Sequence, residues 1–296
     1  MRLIKPSYNI LSQKGEIDGI YKAIERAGRL AYKSEDKITD TSAKPFVEKL
    51  IKAGHLSVLE HGTVYLKLSP SEIHIYHKYR DNPYTKVNII YSKEPYPVPT
   101  YCVSTNYRVL IEHGWLDDLK YLCEPTEHHE RRIGVFFNSN IGIMRELFRH
   151  RKMSYIQESS RFCNYSNGKF NGELVFILPS WISIKEETYA FTLEIMSKTP
   201  IPGYKPGEEI FLNSLLQAEK SYMALIDNGW KPEQARDVLP LATKSEAIVT
   251  GFESDWKYIF KMRTSKATAG KPHPDMVALM DPLLDDFHRL FNTVIE

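Results

Sequence analysis

The sequence contains few cysteines, little net charge and no long apolar segment. Its three cysteines, among 296 residues, are an odd and widely spaced set, which predicts reduced thiols rather than a disulfide framework or a zinc site. A net charge of +2 argues against a protein that binds nucleic acid through bulk charge. No apolar run approaches the roughly 18 residues that a membrane-spanning helix requires, and the N-terminus lacks an apolar signal core. We therefore expect a cytoplasmic protein that does not span a membrane.

Hydrophobic periodicity predicts an α+β fold in one domain, with helices around a small mixed or antiparallel sheet. Apolar residues at helical spacing predict helices, and alternating or short apolar runs predict strands. The predicted helices cover residues 16–32, 42–53, 140–148, 185–197, 207–227 and 245–262, with two more beginning at about 231 and 275. The predicted strands cover residues 64–68, 131–137 and 174–178. Because strands and helices do not alternate regularly along the chain, a doubly wound sheet is not expected.

Residues 70–130 have the least regular pattern and are rich in tyrosine and proline. One short helix is predicted near residues 115–122. The segment also contains four histidines that could supply metal ligands: His74, His77, His128 and His129. Their spacing does not repeat a metal-ligand pattern, so we predict no metal site.

Charged and hydroxyl side chains are concentrated between Arg149 and Arg161. This stretch holds three arginines, one lysine, one histidine and three serines, and a core element could not bury so many charges without partners. Arginine offers a rigid fork of donors that matches phosphate oxygens, and serine adds short donors. The stretch therefore predicts an anion site, most suitably for phosphate. A basic helix end followed by a polar loop explains the charge pattern equally well.

The order of residues in this stretch resembles a known signature. Arg149-His150-Arg151 is followed by Ser154, Ser159 and Arg161, which is similar to the signature of flavin-dependent thymidylate synthases. Two more hallmarks of that family recur downstream. They are Ala235-Arg236, one residue, then Val238-Leu239-Pro240, and Arg263 at the end of a predicted helix.

A fourth similarity lies near the N-terminus. Family members carry a Gly-His turn before a strand, with Ser or Thr two residues on and then Glu-His. Here this is Gly54-His55, Ser57 and Glu60-His61. The resemblance places His55 and Ser57 at the flavin, often that of a neighbouring subunit.

The resemblance implies an activity, cofactors and an assembly. The expected reaction is the reductive methylation of dUMP to dTMP, with methylenetetrahydrofolate as carbon donor and FAD, reduced by NADPH, as hydride carrier. No cysteine nucleophile is needed, so we interpret Cys163 as a packing residue. A homotetramer with sites shared between subunits is expected.

The resemblance also implies residue roles. Arg263 is the expected catalytic residue, because its guanidinium favours the ionised uracil ring. The expected substrate-binding residues are Glu146, Arg149, Gln157, Glu158, Ser159, Ser160, Arg161, Arg236 and Arg263. The expected cofactor-binding residues are His55, Ser57, Arg149, His150, Arg151, Gln157 and His273.

Some positions depart from the family pattern. Gln157 stands where many members have glutamate, Phe162 replaces a tyrosine, and Tyr258 replaces a flavin-contacting asparagine. Residues 70–130 are an insertion relative to short members, and we expect it to shape the substrate entrance or an oligomer contact.

Two other functions are compatible with the residues. A non-catalytic nucleotide- or RNA-binding protein could use the basic Arg149–Arg161 stretch, with tyrosines as stacking surfaces. A metal hydrolase could use the scattered histidines.

Overall fold

The computed structural model of the protein describes residues 1–189, 204–268 and 270–294. Its α-helices are α1 Ile17–Ala31, α2 Ala43–Lys52, α3 Ile73–Arg80, α4 Tyr107–His113, α5 Ile141–Leu147, α6 Pro206–Asp227, α7 Pro232–Ala235, α8 Glu253–Arg263 and α9 Pro274–Phe291. Its strands are β1 Arg2–Ile4, β2 Ser7–Leu11, β3 Thr63–Leu68, β4 Lys86–Tyr91, β5 Pro99–Asn106, β6 Arg132–Asn140, β7 Ser154–Gln157, β8 Val175–Ile177 and β9 Lys244–Phe252. The expected α+β fold is confirmed. None of the described helices is long and apolar enough to cross a bilayer.

A four-stranded antiparallel sheet, in the order β2-β6-β9-β7, forms the centre of the molecule. Successive side chains of a strand point to opposite faces, and both faces of β9 are buried. Ala247 and Val249 pack with α5, α8 and α9. Ile248, between them, packs on the other face with α1 and α2. The sheet therefore separates two apolar cores.

Two smaller sheets adjoin the central one. The first is antiparallel, in the order β3-β5-β4, so residues 70–130 contribute two strands that the sequence pattern did not predict. The second pairs β1 with β8 in parallel and packs under α6. It adjoins the segment that leads into β9, because the Ile177 amide donates a hydrogen bond to the Ala242 carbonyl at 2.9 Å.

The helix predicted over residues 245–262 is wrong in its first half. Residues 244–252 form β9, and the helix begins only at Glu253. The run Ile248-Val249-Thr250 is β-branched, which favours a strand. Since β9 is buried on both faces, its apolar residues do not alternate, and a short apolar run of this kind resembles a buried helix.

Two other helix predictions need adjustment. The helix predicted to begin at about 231 ends at Ala235 and is followed by a 3-10 turn over Arg236–Val238. Of the helix predicted over 185–197, residues 185–189 are not helical, and the remainder lies outside the described residues. The short helix expected near 115–122 is a 3-10 helix over Leu116–Tyr121.

Candidate functional site

Helix α5 places the first part of the Arg149–Arg161 stretch. The Asn140 side chain accepts a hydrogen bond from the Ile143 amide at 2.8 Å and caps the helix N-terminus. The helix ends at Leu147, so Arg149 and Arg151 follow its C-terminus, where the helix dipole favours cations. The stretch then enters β7, an edge strand of the central sheet. Its charged groups are thereby distributed over a helix end, a turn, a strand and a loop.

A cavity of about 410 Å³ lies beside the N-terminal part of α5. Its polar lining residues include Arg145, Gln157, Glu158, Ser160, Arg236, Asp237, Thr243, Lys244 and Ser245, and we call it the Arg236 cavity. Arg236 Nη1 donates to Ser160 Oγ at 3.2 Å, and Gln157 Nε2 donates to Ser245 Oγ at 2.8 Å. The buried Thr243 hydroxyl has no hydrogen-bond partner among the described residues. The cavity therefore offers a guanidinium and hydroxyl groups to a ligand.

Some of the cations at this cavity are already paired with carboxylates. Glu158, which is buried, accepts hydrogen bonds from Lys244 Nζ at 3.0 Å and from the Tyr165 hydroxyl at 3.1 Å. Lys244 also pairs with Glu246 at 2.6 Å, and Lys33 pairs with the same carboxylate. Burial would raise the pKa of Glu246, but Lys244 and Lys33 outweigh it and lower that pKa. The floor of the Arg236 cavity is thus a linked network of charges.

Arg161 lies next to this network but points away from it. Its guanidinium reaches Glu233 of α7 at 3.4 Å, and both side chains are largely exposed. Ser160, the preceding residue, binds Arg236. The structure therefore brings Ser160 and Arg236 together and leaves Arg161 in a solvated ion pair beside them.

Arg263, at the end of α8, is held by two residues of the α5 region. Its Nη1 donates to Glu146 Oε2 at 3.0 Å, and its Nε donates to His150 Nε2 at 3.1 Å. Burial and the Arg263 charge lower the pKa of His150 to about 4. His150 is therefore neutral near pH 7, with its ring proton on Nδ1. Arg263, the expected catalytic residue, thus contacts both Glu146, an expected substrate-binding residue, and His150, an expected cofactor-binding residue.

Helix α5 contacts both Arg263 and the Arg236 cavity. Ile141 and Arg145, one helical turn apart, line that cavity. The adjacent Glu146 turns to Arg263. The nucleotide candidates therefore surround one short helix, although Arg263 lies on a different side of it from Arg236.

A second cavity, of about 690 Å³, opens at the C-terminal end of α5. It is lined by Lys86, Arg149, His150, Arg151, Lys152, Met153, Ser254, Asp255 and Tyr258, and we call it the Arg149 cavity. Within the described ranges neither Arg149 nor Arg151 has a carboxylate partner in ion-pair distance. Burial raises the pKa of Asp255, the one carboxylate that lines the cavity, and the neighbouring Lys152 and Lys86 oppose this. The donor set fits an anionic ligand.

Three expected cofactor residues lie apart from the Arg149 cavity. His55 and Ser57 are exposed on a separate groove of about 530 Å³, with Tyr32 and Arg108. His273 Nδ1 accepts from the Asp275 amide at 3.2 Å and caps α9. Within one protomer these three residues are therefore not part of one site with Arg149.

Lys244 and Lys86 are two of the lining residues that sequence reasoning did not assign to a site. Lys244 lies at the start of the strand that was predicted as a helix, and Lys86 lies in the least regular segment. Lys244 pairs with Asn140 of β6, which is distant in the sequence, whereas the position of the three-stranded sheet beside the end of the central sheet brings Lys86 to its cavity. No local pattern could have identified either residue.

Cys163 and His129 are both buried side chains. Cys163 is buried, and burial raises the pKa of its thiol to about 12, which suits packing rather than nucleophilic chemistry. His129 is buried, and its Nε2 lies 3.0 Å from the Leu66 carbonyl. Among the described residues no three His, Cys, Asp or Glu side chains form a group that could hold a metal.

Residues 122–288 match the family described as thymidylate synthase complementing protein. The flavin-dependent thymidylate synthase of Haloarcula marismortui is 28% identical over 150 residues, which cover 48% of this chain and 54% of that protein. The flavin-dependent thymidylate synthase of Corynebacterium efficiens is 30% identical over 126 residues, 41% of this chain and 44% of that protein. The chain thus spans about half the length of the curated relatives it matches.

A solved structure also aligns with the chain. The UMP/dUMP methylase PolB of Streptomyces cacaoi, bound with 5-Br dUMP, has a TM-score of 0.44 and 15% identity, and the alignment covers 98% of this chain and 93% of that one.

Proposed function

Because the chain belongs to the thymidylate synthase complementing protein family, we propose that it methylates dUMP to dTMP in a flavin-dependent reaction. Methylenetetrahydrofolate would supply the carbon, and NADPH would reduce bound FAD. The observation that carries the proposal is the meeting of Glu146, His150 and Arg263 beside α5, inside the matched residues. A cytoplasmic location is part of the same proposal.

The Arg236 cavity is the proposed site of the nucleotide. Its volume of about 410 Å³ lies within the roughly 300–1,000 Å³ of ordinary small-ligand sites. Arg236 and Ser160 would bind the phosphate, with Ser159 nearby in the chain. Arg161 could join them, because its exposed ion pair with Glu233 contributes little in water and exchanges easily.

Arg263 is the proposed group that favours the ionised pyrimidine; because it lies on a different side of α5 from Arg236, it would act on a nucleotide held in the Arg236 cavity of a neighbouring protomer. Its guanidinium stays charged at all relevant pH values and can stabilise negative charge on the uracil ring without transferring a proton. Glu146 and the neutral His150 fix its orientation. Because Glu146 already neutralises Arg263, nucleotide binding must share or displace that carboxylate.

The Arg149 cavity is the proposed site of the flavin phosphates. Four cationic side chains face one carboxylate there, and arginine is well suited to bind phosphate oxygens in a bidentate way. When bound, the reduced flavin supplies the hydride. The residues of this chain bind and orient it, and Tyr258, exposed on α8, can cover part of a planar ring system.

A homotetramer with shared sites is proposed together with this chemistry. His55 and Ser57, expected at the flavin, line a groove separate from the Arg149 cavity. Residues from two protomers could complete one flavin site, which supports the proposal. Light scattering coupled to size exclusion should give the mass of four chains; a stable, active monomer would contradict it.

The decisive experiment is a flavin and product assay on the purified full chain. We expect yellow protein with an FAD spectrum, and dUMP-dependent oxidation of the reduced flavin when methylenetetrahydrofolate is present. Mass spectrometry should detect dTMP. Protein that binds no FAD and forms no dTMP would overturn the proposal. RNA affinity that falls steeply with salt, in the absence of flavin, would instead favour the nucleic-acid-binding alternative.

A further inference from the structure

Lys86 is a cation of the Arg149 cavity that lies outside the residues matching the family. The match covers residues 122–288, whereas Lys86 begins β4 of the three-stranded sheet. We propose that Lys86 is an additional phosphate-binding residue of this cavity. The identity of the ligand as FAD rests on the proposed function.

The three-stranded sheet positions Lys86 at the cavity. Lys86 pairs with Ser104 on β5, the middle strand of that sheet. Its Nζ lies 5.9 Å from the ring centroid of Phe252, the last residue of β9. The Arg132 guanidinium lies 5.4 Å from the same ring. The ammonium group of Lys86 therefore lies near the end of the central sheet, close to the start of α8.

The charges at this place are only partly balanced by protein groups, because Asp255 interacts with Lys86 and Lys152. In the described part of the chain, Lys86 has no carboxylate in ion-pair distance, and the same is true of Arg149, Arg151 and Lys152. Asp255 is the only carboxylate among the lining residues that the structure gives for this cavity. Four cations around one small cavity repel one another unless an anion neutralises them.

A diphosphate is the ligand chemistry that this set of cations fits best. It carries more than one negative charge and several acceptor oxygens, which can be divided between forked arginine donors and a lysine that acts as a point charge. The exposed Tyr258 ring at the same cavity offers a surface for an aromatic ring of the ligand. Lys86 would take the phosphate at the side of the three-stranded sheet.

The test compares Lys86→Gln with Lys86→Arg and with a matched control. The control is Lys67→Gln, which removes an exposed charge from β3 of the same sheet without touching the cavity. FAD affinity is measured by flavin fluorescence over a series of NaCl concentrations. We expect Lys86→Gln to weaken FAD binding about tenfold and to reduce its salt dependence. Lys86→Arg and Lys67→Gln should bind FAD within about twofold of the unmodified protein.

Riboflavin, which has no phosphate, separates a phosphate contact from a general disturbance. Its affinity should be the same for Lys86→Gln and for the unmodified protein. If Lys86→Gln weakens riboflavin as much as FAD, the residue acts on the fold and the inference is overturned. If Lys86→Gln leaves FAD affinity unchanged while Arg151→Gln lowers it, the inference is also overturned, but the proposed function stands.

ADP, measured by titration calorimetry, makes the two proposals distinguishable. A protein that binds no flavin but binds ADP, with about tenfold loss in Lys86→Gln, would overturn the flavin function and retain Lys86 as a phosphate site. A protein that binds neither FAD nor ADP would overturn both.

Discussion

The Arg236 cavity and the Arg149 cavity both present cations to solvent, but they differ in how those cations are balanced. In the first, Lys244 is already paired with two carboxylates, and Glu158 is buried under it. In the second, four cations face Asp255 alone among the lining residues. The first site is lined by three cations (Arg145, Arg236 and Lys244) and two carboxylates (Glu158 and Asp237), whereas the second carries a larger excess of positive charge.

This difference predicts different binding behaviour. A site with only a small excess of cations should bind an anion with an affinity that depends less on salt. A site with excess positive charge attracts polyanions over a longer range and loses affinity as salt screens it. The comparison is consistent with a monophosphate in the Arg236 cavity and a diphosphate in the Arg149 cavity.

Replacing Arg263 should give the largest effect, and that effect should be on turnover of the nucleotide. We expect Arg263→Ala to lower kcat by about 10²–10³, the range for removing a group that stabilises transition-state charge. FAD affinity should fall much less than kcat, because Arg263 does not itself line the Arg149 cavity and reaches it only through His150. The measurements are steady-state dTMP formation and flavin fluorescence.

Lys261→Ala is the matched control, since it removes an exposed cation from the same helix. An Arg263→Ala enzyme with normal kcat would remove the assigned role. A large loss of FAD affinity in that variant would show that the two cavities are not separate in function.

Breaking the Lys244–Glu158 ion pair at the Arg236 cavity should lower the free energy of unfolding. Lys244→Met leaves Glu158, 5% exposed, without its cation and should lower the free energy of unfolding by about 3 kcal/mol. Glu158→Gln keeps an acceptor for the Tyr165 hydroxyl, and Lys244 retains Glu246, so about 1 kcal/mol is expected. Urea unfolding at pH 7 measures both free energies. Equal losses for the two variants would show that the buried Glu158 carboxylate does not depend on Lys244.

Salt dependence compares the two cavities directly. The logarithm of the FAD dissociation constant should rise more steeply with the logarithm of NaCl concentration than that of dUMP. Arg151→Gln should flatten the FAD slope and leave the dUMP slope unchanged, whereas Arg236→Gln should weaken dUMP binding about tenfold at every salt concentration. Identical slopes for both ligands would show that the two cavities do not differ in their excess of positive charge.

A pH-dependent effect concerns the fold outside the two cavities, which His61 does not line. Burial lowers the pKa of His61 from 6.5 to about 3, and its Nδ1 lies 2.9 Å from Thr250 Oγ1. Below pH 6.5 the unfolded chain takes up a proton that folded His61 resists, so stability falls as pH drops toward 3. His61→Gln should reduce this slope by up to about 1.4 kcal/mol per pH unit, measured by urea unfolding between pH 4 and 7. A slope unchanged from that of the unmodified protein would contradict the buried, neutral histidine.

Much of the framework could be predicted from local patterns. Long amphipathic segments gave α1, α2, α6 and α9 within one or two residues, because periodicity is a strong signal over several turns. The Arg149–Arg161 stretch was located by its charge, which no core element could bury. The roles assigned to its individual residues stay predictions.

What failed depended on contacts between distant residues. Strand β9 is buried on both faces, so its burial does not alternate, and only its β-branched run Ile248-Val249-Thr250 favours a strand locally. Lys244 reaches its cavity through strand pairing, and Lys86 through the packing of the three-stranded sheet beside the central one. His273 could have been recognised as a helix cap, since a proline at the first helical position follows it.

The seven residues of α5 leave little freedom to insert or delete a residue. Each added residue rotates the following positions by about 100° around the helix axis. A single deletion before Arg145 would carry its guanidinium off the Arg236 cavity and, in the same step, swing Glu146 away from Arg263. Length variation among related chains should therefore be rare in this helix and common in the connection before α6.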